Sequence, residues 1–173
     1  MRVLHAGCGR EPLPAGAFDG YEEVRLDIDR RVEPHIVAAL TDMGDIGEFD
    51  AVYCSHTLEH LYPHQVPIAL AEFLRVLKPG GRAIIVVPDV ENLKLSDEVM
   101  YTTTDGLEVT AFDLFYGHRR LIEQNPFMAH HCAFTAKLLT DVMRFSGFSV
   151  SQATSDTNWN LVAIGVKEGR KTE

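Results

Sequence analysis

The run Ala83-Ile84-Ile85-Val86-Val87 constrains this chain more than any other feature. Five apolar residues follow one another without a polar break, framed by Pro79-Gly80-Gly81 before and Pro88-Asp89 after. A strand with one wet face alternates apolar and polar residues. A short run without alternation suits a strand buried on both faces, as in a parallel sheet covered by helices. Weaker runs of the same kind occupy residues 3–5, 23–26, 35–40 and 51–55, and two more, 149–153 and 161–166, lie near the end. Between them, residues 67–77 place Ile68, Leu70, Ala71, Leu74 and Leu77 near helical spacing, and Lys78-Pro79-Gly80-Gly81 stops the helix. Residues 135–145 read as a second amphipathic helix, with Thr135 as N-cap and Leu138, Leu139, Val142 and Phe145 on one face. Strands alternating with helices predict a three-layer α/β sandwich around a mostly parallel sheet.

Length sets the scale of that sheet: 173 residues make one domain. Acidic residues outnumber basic ones 25 to 16, a balance that argues against a nucleic-acid partner, which needs a basic stripe. No stretch is apolar enough for a membrane span and no leader-like segment opens the chain, so a soluble, cytoplasmic protein is expected. Three cysteines without paired spacing make neither a disulfide framework nor a zinc site. Residues 92–131 fit no regular element, yet carry Tyr101, Phe112, Phe115, Tyr116 and Phe127 beside His118, Arg119, Arg120, His130 and His131. So long a connection is functional or disordered, and its aromatic content argues for function. It is read as an insert forming a substrate or lid region, its aromatics lining an acceptor pocket or making a small satellite core.

Three motifs sit where chemistry is expected. Gly7-Cys8-Gly9 follows the first strand, where glycine permits a sharp turn and a close approach by a ligand. The same dipeptide spacing also occurs in plain turns, and Pro12 stands where a dinucleotide fingerprint would carry its third glycine. Asp27 ends the second strand, 18 residues after Gly9, in position to accept hydrogen bonds from both hydroxyls of a ribose. The fourth strand runs into Ser55-His56-Thr57-Leu58-Glu59-His60, at the carboxyl end of a central strand where open α/β sheets bind ligands. His56 and His60 lie four apart with Glu59 on a neighbouring face, and no further carboxylate or cysteine is placed to complete a metal site. No metal is therefore assigned.

Together these segments resemble the class I S-adenosylmethionine-dependent methyltransferases, of the small type 11-like kind. Val3-Leu4-His5-Ala6-Gly7-Cys8-Gly9 is similar to the family's first motif and Leu26-Asp27-Ile28-Asp29 to its second. The segment from Phe49-Asp50 to Leu58-Glu59-His60, and Leu74-Arg75-Val76-Leu77-Lys78-Pro79-Gly80-Gly81, match its later phrases. The resemblance implies a Rossmann-like, seven-stranded sheet in the order 3-2-1-4-5-7-6, strand seven antiparallel, here without the usual N-terminal helices. It implies S-adenosylmethionine as cofactor, held by His5, Ala6, Gly7, Cys8, Gly9, Asp27, Ile28, Leu40, Thr41, Asp42, Ser55 and His56. Ala39-Leu40 stands where many relatives carry an acidic residue followed by alanine, so the adenine edge falls to backbone, Thr41 or Asp42. The implied reaction is in-line methyl transfer to a small-molecule acceptor. Where the acceptor must lose a proton, His56, His60, His130 and His131 are the candidate bases. A catalytically incomplete, cofactor- or partner-binding subunit is the alternative. In either case a homodimer or partner subunit is a possible cover for the open cofactor edge.

Overall fold

The computed structural model describes residues 1–103, 106–156 and 158–169. Five parallel strands form the heart of the sheet: β1 (Arg2–Ala6), β2 (Glu22–Asp27), β3 (Ile36–Val37), β4 (Phe49–Ser55) and β5 (Leu77–Pro88). After an insert come β8 (Ser149–Val150), β9 (Thr154–Ser155) and β10 (Asn160–Val166). The path is β3-β2-β1-β4-β5-β10-β8, with β10 antiparallel to β5. This is the mixed sheet the resemblance implies, β10 filling the seventh place and β8 the sixth. The short β9 also pairs with β10 and raises the count to eight.

Two helices lie on one face of this sheet. α1 (Val66–Val76) buries Val66, Ala69, Leu70, Phe73 and Val76, and α4 (Ala136–Phe145) buries Leu139, Thr140 and Met143. They meet the residues of one parity on the strands: Leu4 and Ala6, Val52 and Cys54, Ala83, Ile85 and Val87, Leu161 and Ala163. Both helix faces are rotated from the sequence expectation. Ile68 and Ala71 face water on α1, while on α4 Leu138 is 50% exposed and Phe145 is 87% exposed. On α4 the reason is polar: Thr140 turns inward because its hydroxyl donates to Ala136 O (2.7 Å) and accepts from Ala153 N (2.9 Å), joining α4 to the chain beyond β8. Thr135 does cap α4, accepting from Leu138 N. α1 ends earlier than expected, since Leu77 is already extended and belongs to β5. Lys78-Pro79-Gly80-Gly81 is instead absorbed in a register shift between β4 and β5 and fastened by Lys78 Nζ donating to Asp50 Oδ1 (2.8 Å).

The other face is covered between β1 and β3 mainly by loop. Among the described residues it carries no helix between β1 and β3 beyond a single 3-10 turn, Arg30–Val32. The connection from β1 to β2 lies there as a loop whose Phe18, with Leu13 and Tyr21, packs on Val3 and Ala51. Ile84 and Val86, expected to be buried, are therefore only half-covered, and Ile164 on β10 is 52% exposed. Pro12 and Pro14, two residues apart and followed by Gly16, deny that connection a helix.

The insert is more regular than its sequence suggests. β6 (Val99–Thr102) and β7 (Glu108–Thr110) form an antiparallel hairpin, followed by α2 (Ala111–Tyr116), α3 (Arg119–Gln124) and a 3-10 turn, Pro126–Met128. A reciprocal cap starts α2: Thr110 N donates to Asp113 Oδ2 and Asp113 N to Thr110 Oγ1. The aromatics do not make a satellite core. Tyr101, Phe112, Tyr116 and Phe127 are all exposed.

Candidate active site

The carboxyl ends of β1, β2 and β4 meet where the chain order reverses, the place where open α/β sheets take ligands. Gly7 and Gly9 both have positive φ, +67° and +49°. Their roles differ. A Cβ on Gly7 would lie 2.2 Å from Thr57 Cγ2, so Gly7 is glycine to admit the β4 loop. A Cβ on Gly9 would meet nothing within 4 Å, so no other part of the chain packs against that side of the turn. The turn is held from below: Gly7 N and Cys8 N both donate to Leu26 O, and the Arg25 guanidinium donates to Gly9 O (2.9 Å) and Glu11 O (2.9 Å). Sequence reading missed Arg25, because a cation inside a strand carries no positional signature.

Asp27 closes the same turn. Its Oδ2 accepts from Gly9 N (2.9 Å) and its Oδ1 from Asp29 N (2.8 Å). Each oxygen keeps a second lone pair, so the half-buried carboxylate is oriented without being saturated. Ile28 beside it is exposed. Asp29 caps the following 3-10 turn, and Arg31 holds its carboxyl down to about 2. Asn125 Nδ2 of the insert also donates to Asp29 Oδ2 (3.3 Å), so the insert reaches the end of β2.

Other expected cofactor residues are placed less openly. His5 is buried on the loop-covered face, where its Nδ1 donates to Glu23 Oε1 (2.8 Å), away from the strand end. Ala6, Cys8 and Leu40 are buried, and burial raises the Cys8 thiol above its ordinary value. Thr41 is half-buried and Asp42 exposed, in a tight turn where Asp42 N donates to Ala39 O. Ser55 is half-buried at the end of β4, its carbonyl accepting from Thr57 Oγ1 (2.9 Å).

The histidines divide three to one. His56 sits at φ +49°, and its Nδ1 lies 3.4 Å from Glu59 Oε1 without hydrogen-bond alignment. Burial lowers the His56 value but Glu59 outweighs it, so the imidazole is held above its ordinary range. Burial pushes Glu59 up, and His56 foremost, with His60 and His130, more than reverses it. His60 and His130 face each other with ring centroids 4.9 Å apart, and burial lowers His130. His131 points outward and stacks on Tyr62 at 4.2 Å. Glu59, His60 and His130 offer one ligand atom each, all within 4.8 Å of one another. The sequence left this group incomplete because His130 lies 70 residues beyond His60. The backbone brings it in: His131 N and Cys132 N both donate to Glu59 O. Burial raises Cys54 strongly and Cys132 to about 12, so neither thiol is a nucleophile at neutral pH. A concavity of about 600 Å³ lies in the insert beside Asp113, His118 and Arg119. It is away from the glycine turn.

Comparison with known proteins shows what this chain is similar to. Residues 4–85 match the methyltransferase-domain family. A curated relative, the probable methyltransferase ltbC of Aspergillus luteorubrus, is 32% identical over 105 residues, covering 46% of this chain and 37% of the relative. The chain thus spans little more than a third of that relative's length. Among solved structures, the Burkholderia thailandensis 1,6-didemethyltoxoflavin-N1-methyltransferase, with bound 1,6-didemethyltoxoflavin and S-adenosylhomocysteine, superposes with a TM-score of 0.61 at 18% identity, covering 97% of this chain and 71% of the other. An S-adenosylmethionine-dependent methyltransferase from Clostridium acetobutylicum gives 0.66 at 9% identity, over 97% and 84%. Over residues 4–85 the chain is thus similar to the methyltransferase-domain family, and its sheet has the fold of these solved methyltransferase structures.

Proposed function

We propose that this chain binds S-adenosylmethionine over the Gly7–Gly9 turn and transfers its methyl group to a small-molecule acceptor. The observation that carries the reading is the joined pair Gly9 and Asp27, an open backbone position beside an oriented, unsaturated carboxylate at the sheet's reversal point. Asp27 would take the ribose hydroxyls, the exposed Ile28 the adenine face, and Thr41 or the backbone near Asp42 its polar edge. Bound there, S-adenosylmethionine supplies a methyl on a sulfonium, an already activated leaving group. The chain's own task is alignment and exclusion of water. The insert, tied to Asp29 through Asn125 and to the turn after β4 through His131 N and Cys132 N, would cover the site. His56, half-exposed at the end of β4 and beside Glu59, is the first candidate to receive an acceptor's proton. Small-molecule methylation is supported by the toxoflavin relative's bound acceptor and by the chain's net charge of −9.

Calorimetric titration with S-adenosylmethionine and S-adenosylhomocysteine tests the reading. Saturable binding that falls at least about tenfold in Asp27→Ala is expected, from the loss of one or two hydrogen bonds to a charged group. Equal binding by the folded variant would refute the assigned ribose site. The half-covered face at Ile84 and Ile164 favours a second reading, in which a second copy of the chain completes the unit. A strictly monomeric mass by light scattering, with binding intact, would dismiss it.

A further inference from the structure

We propose that Glu59, His60 and His130 form a binding site for a divalent first-row transition-metal ion of the zinc type. Glu59 is the starting point. Its side chain is 1% exposed and both carboxylate oxygens lack a hydrogen-bond partner. A buried carboxylate without partners is costly unless a cation compensates it. His56 Nδ1 comes within 3.4 Å of Glu59 Oε1 but is not aligned for a hydrogen bond, and the Nδ1 atoms of His60 and His130 bond backbone carbonyls instead.

His60 Nδ1 donates to Ala129 O (3.2 Å), and His130 Nδ1 donates to Leu114 O (2.9 Å). A carbonyl oxygen only accepts, so each Nδ1 carries the proton and each Nε2 is left with its lone pair in the neutral ring. A backbone carbonyl fixing one ring nitrogen while the other stays free is the outer-shell arrangement of metal-binding histidines. Both imidazoles share it, from segments 70 residues apart in the chain.

The dimensions suit a small ion. Zinc bonds of about 2.1 Å place neighbouring ligand atoms roughly 3.4 Å apart in a tetrahedron. A group already within 4.8 Å needs side-chain shifts on the order of 1 Å to close. Two imidazoles and one carboxylate favour zinc, cobalt or nickel over magnesium or calcium, which take oxygen ligands. Three protein ligands leave a fourth position open. His56, half-exposed just after β4, is the solvent-side neighbour of Glu59. Metal binding at these residues stands independently of methyl transfer. If the proposed activity holds as well, the open position offers an acceptor hydroxyl a Lewis acid that favours its ionised form.

The test is titration of the purified, chelator-treated chain with Zn²⁺ and Co²⁺ in the absence of S-adenosylmethionine, by calorimetry and visible absorption. One equivalent should bind, and Co²⁺ should develop ligand-field bands of low-symmetry, nitrogen-containing coordination. His60→Ala and His130→Ala should each weaken binding by roughly a hundredfold or more, since losing even an outer-shell partner costs 10–100-fold. His64→Ala, an exposed histidine outside the group, should bind as wild type does. The wild-type Co²⁺ spectrum decides the matter even if a variant fails to fold. No saturable binding, coordination by oxygen alone, or binding that survives removal of His130 would overturn the proposal. Because no cofactor is present, failure here would leave the methyltransferase reading untouched, and loss of cofactor binding in Asp27→Ala would not bear on the metal.

Discussion

Gly7→Ala should destabilise the fold far more than Gly9→Ala, although both glycines have positive φ and belong to one motif. A non-glycine residue in the left-handed region costs about 1–2 kcal/mol. Gly9→Ala should lose only that, because its new Cβ meets nothing within 4 Å. Gly7→Ala adds overlap with Thr57, whose Cγ2, Oγ1 and Cβ would lie 2.2, 2.4 and 2.8 Å from the new carbon. Overpacking of this kind costs about 1–3 kcal/mol, giving a total of about 2–5 kcal/mol. Thr57 cannot retreat freely, since its hydroxyl bonds to Gly7 O (3.3 Å) and Ser55 O (2.9 Å). Thr57→Ala removes the two nearest atoms and should cost about 1 kcal/mol alone through those hydrogen bonds. In the Gly7→Ala, Thr57→Ala double variant the overlap should largely vanish, so the two losses should fall short of additivity by about 1–2 kcal/mol. Urea unfolding of the four proteins, fitted with a shared slope, measures the cycle. Equal losses for the two glycine variants, or strict additivity with Thr57→Ala, would refute the assignment of Gly7 to chain packing.

The remaining expectations are simpler. Leu139→Ala should cost about 2–5 kcal/mol and Leu138→Ala no more than about 0.5 kcal/mol in chemical denaturation, since only the first is buried on α4; the reverse order would restore the face read from sequence. Thr135→Ala should lower stability by about 1 kcal/mol through loss of the cap on Leu138 N, and Thr135→Ser should restore most of it. Burial, only partly offset by Glu23, holds His5 below its ordinary 6.5. Between the lowered value and 6.5 the unfolded chain binds more protons, so stability should decline as pH falls from 6.5 and recover above it. His5→Gln should remove that portion of the pH dependence; an unchanged profile in thermal unfolding would show that His5 titrates normally.

Much of this molecule was legible in order along the chain. Ala83-Ile84-Ile85-Val86-Val87 announced its central strand, Gly7-Cys8-Gly9 and Asp27 announced the ends of β1 and β2, and Thr135 marked the start of α4. These are local properties: backbone freedom at glycine, a cap's hydrogen bond, the period of apolar residues. The family resemblance draws on the same local phrases, which is why the sheet order followed from them. What stayed hidden depends on partners distant in sequence. Ile84 and Val86 are as apolar as Ile85 and Val87, and only the loop lying where a helical layer was expected leaves them half-covered. Thr140 faces inward on α4 because Ala153, from another segment, gives it a hydrogen bond. His130 joins His60 and Glu59 because backbone bonds lay its segment against the turn after β4. Local sequence fixes the conformations a short segment prefers, whereas burial, pairing and ligand geometry are set by which distant atoms the closed fold brings within a few ångströms.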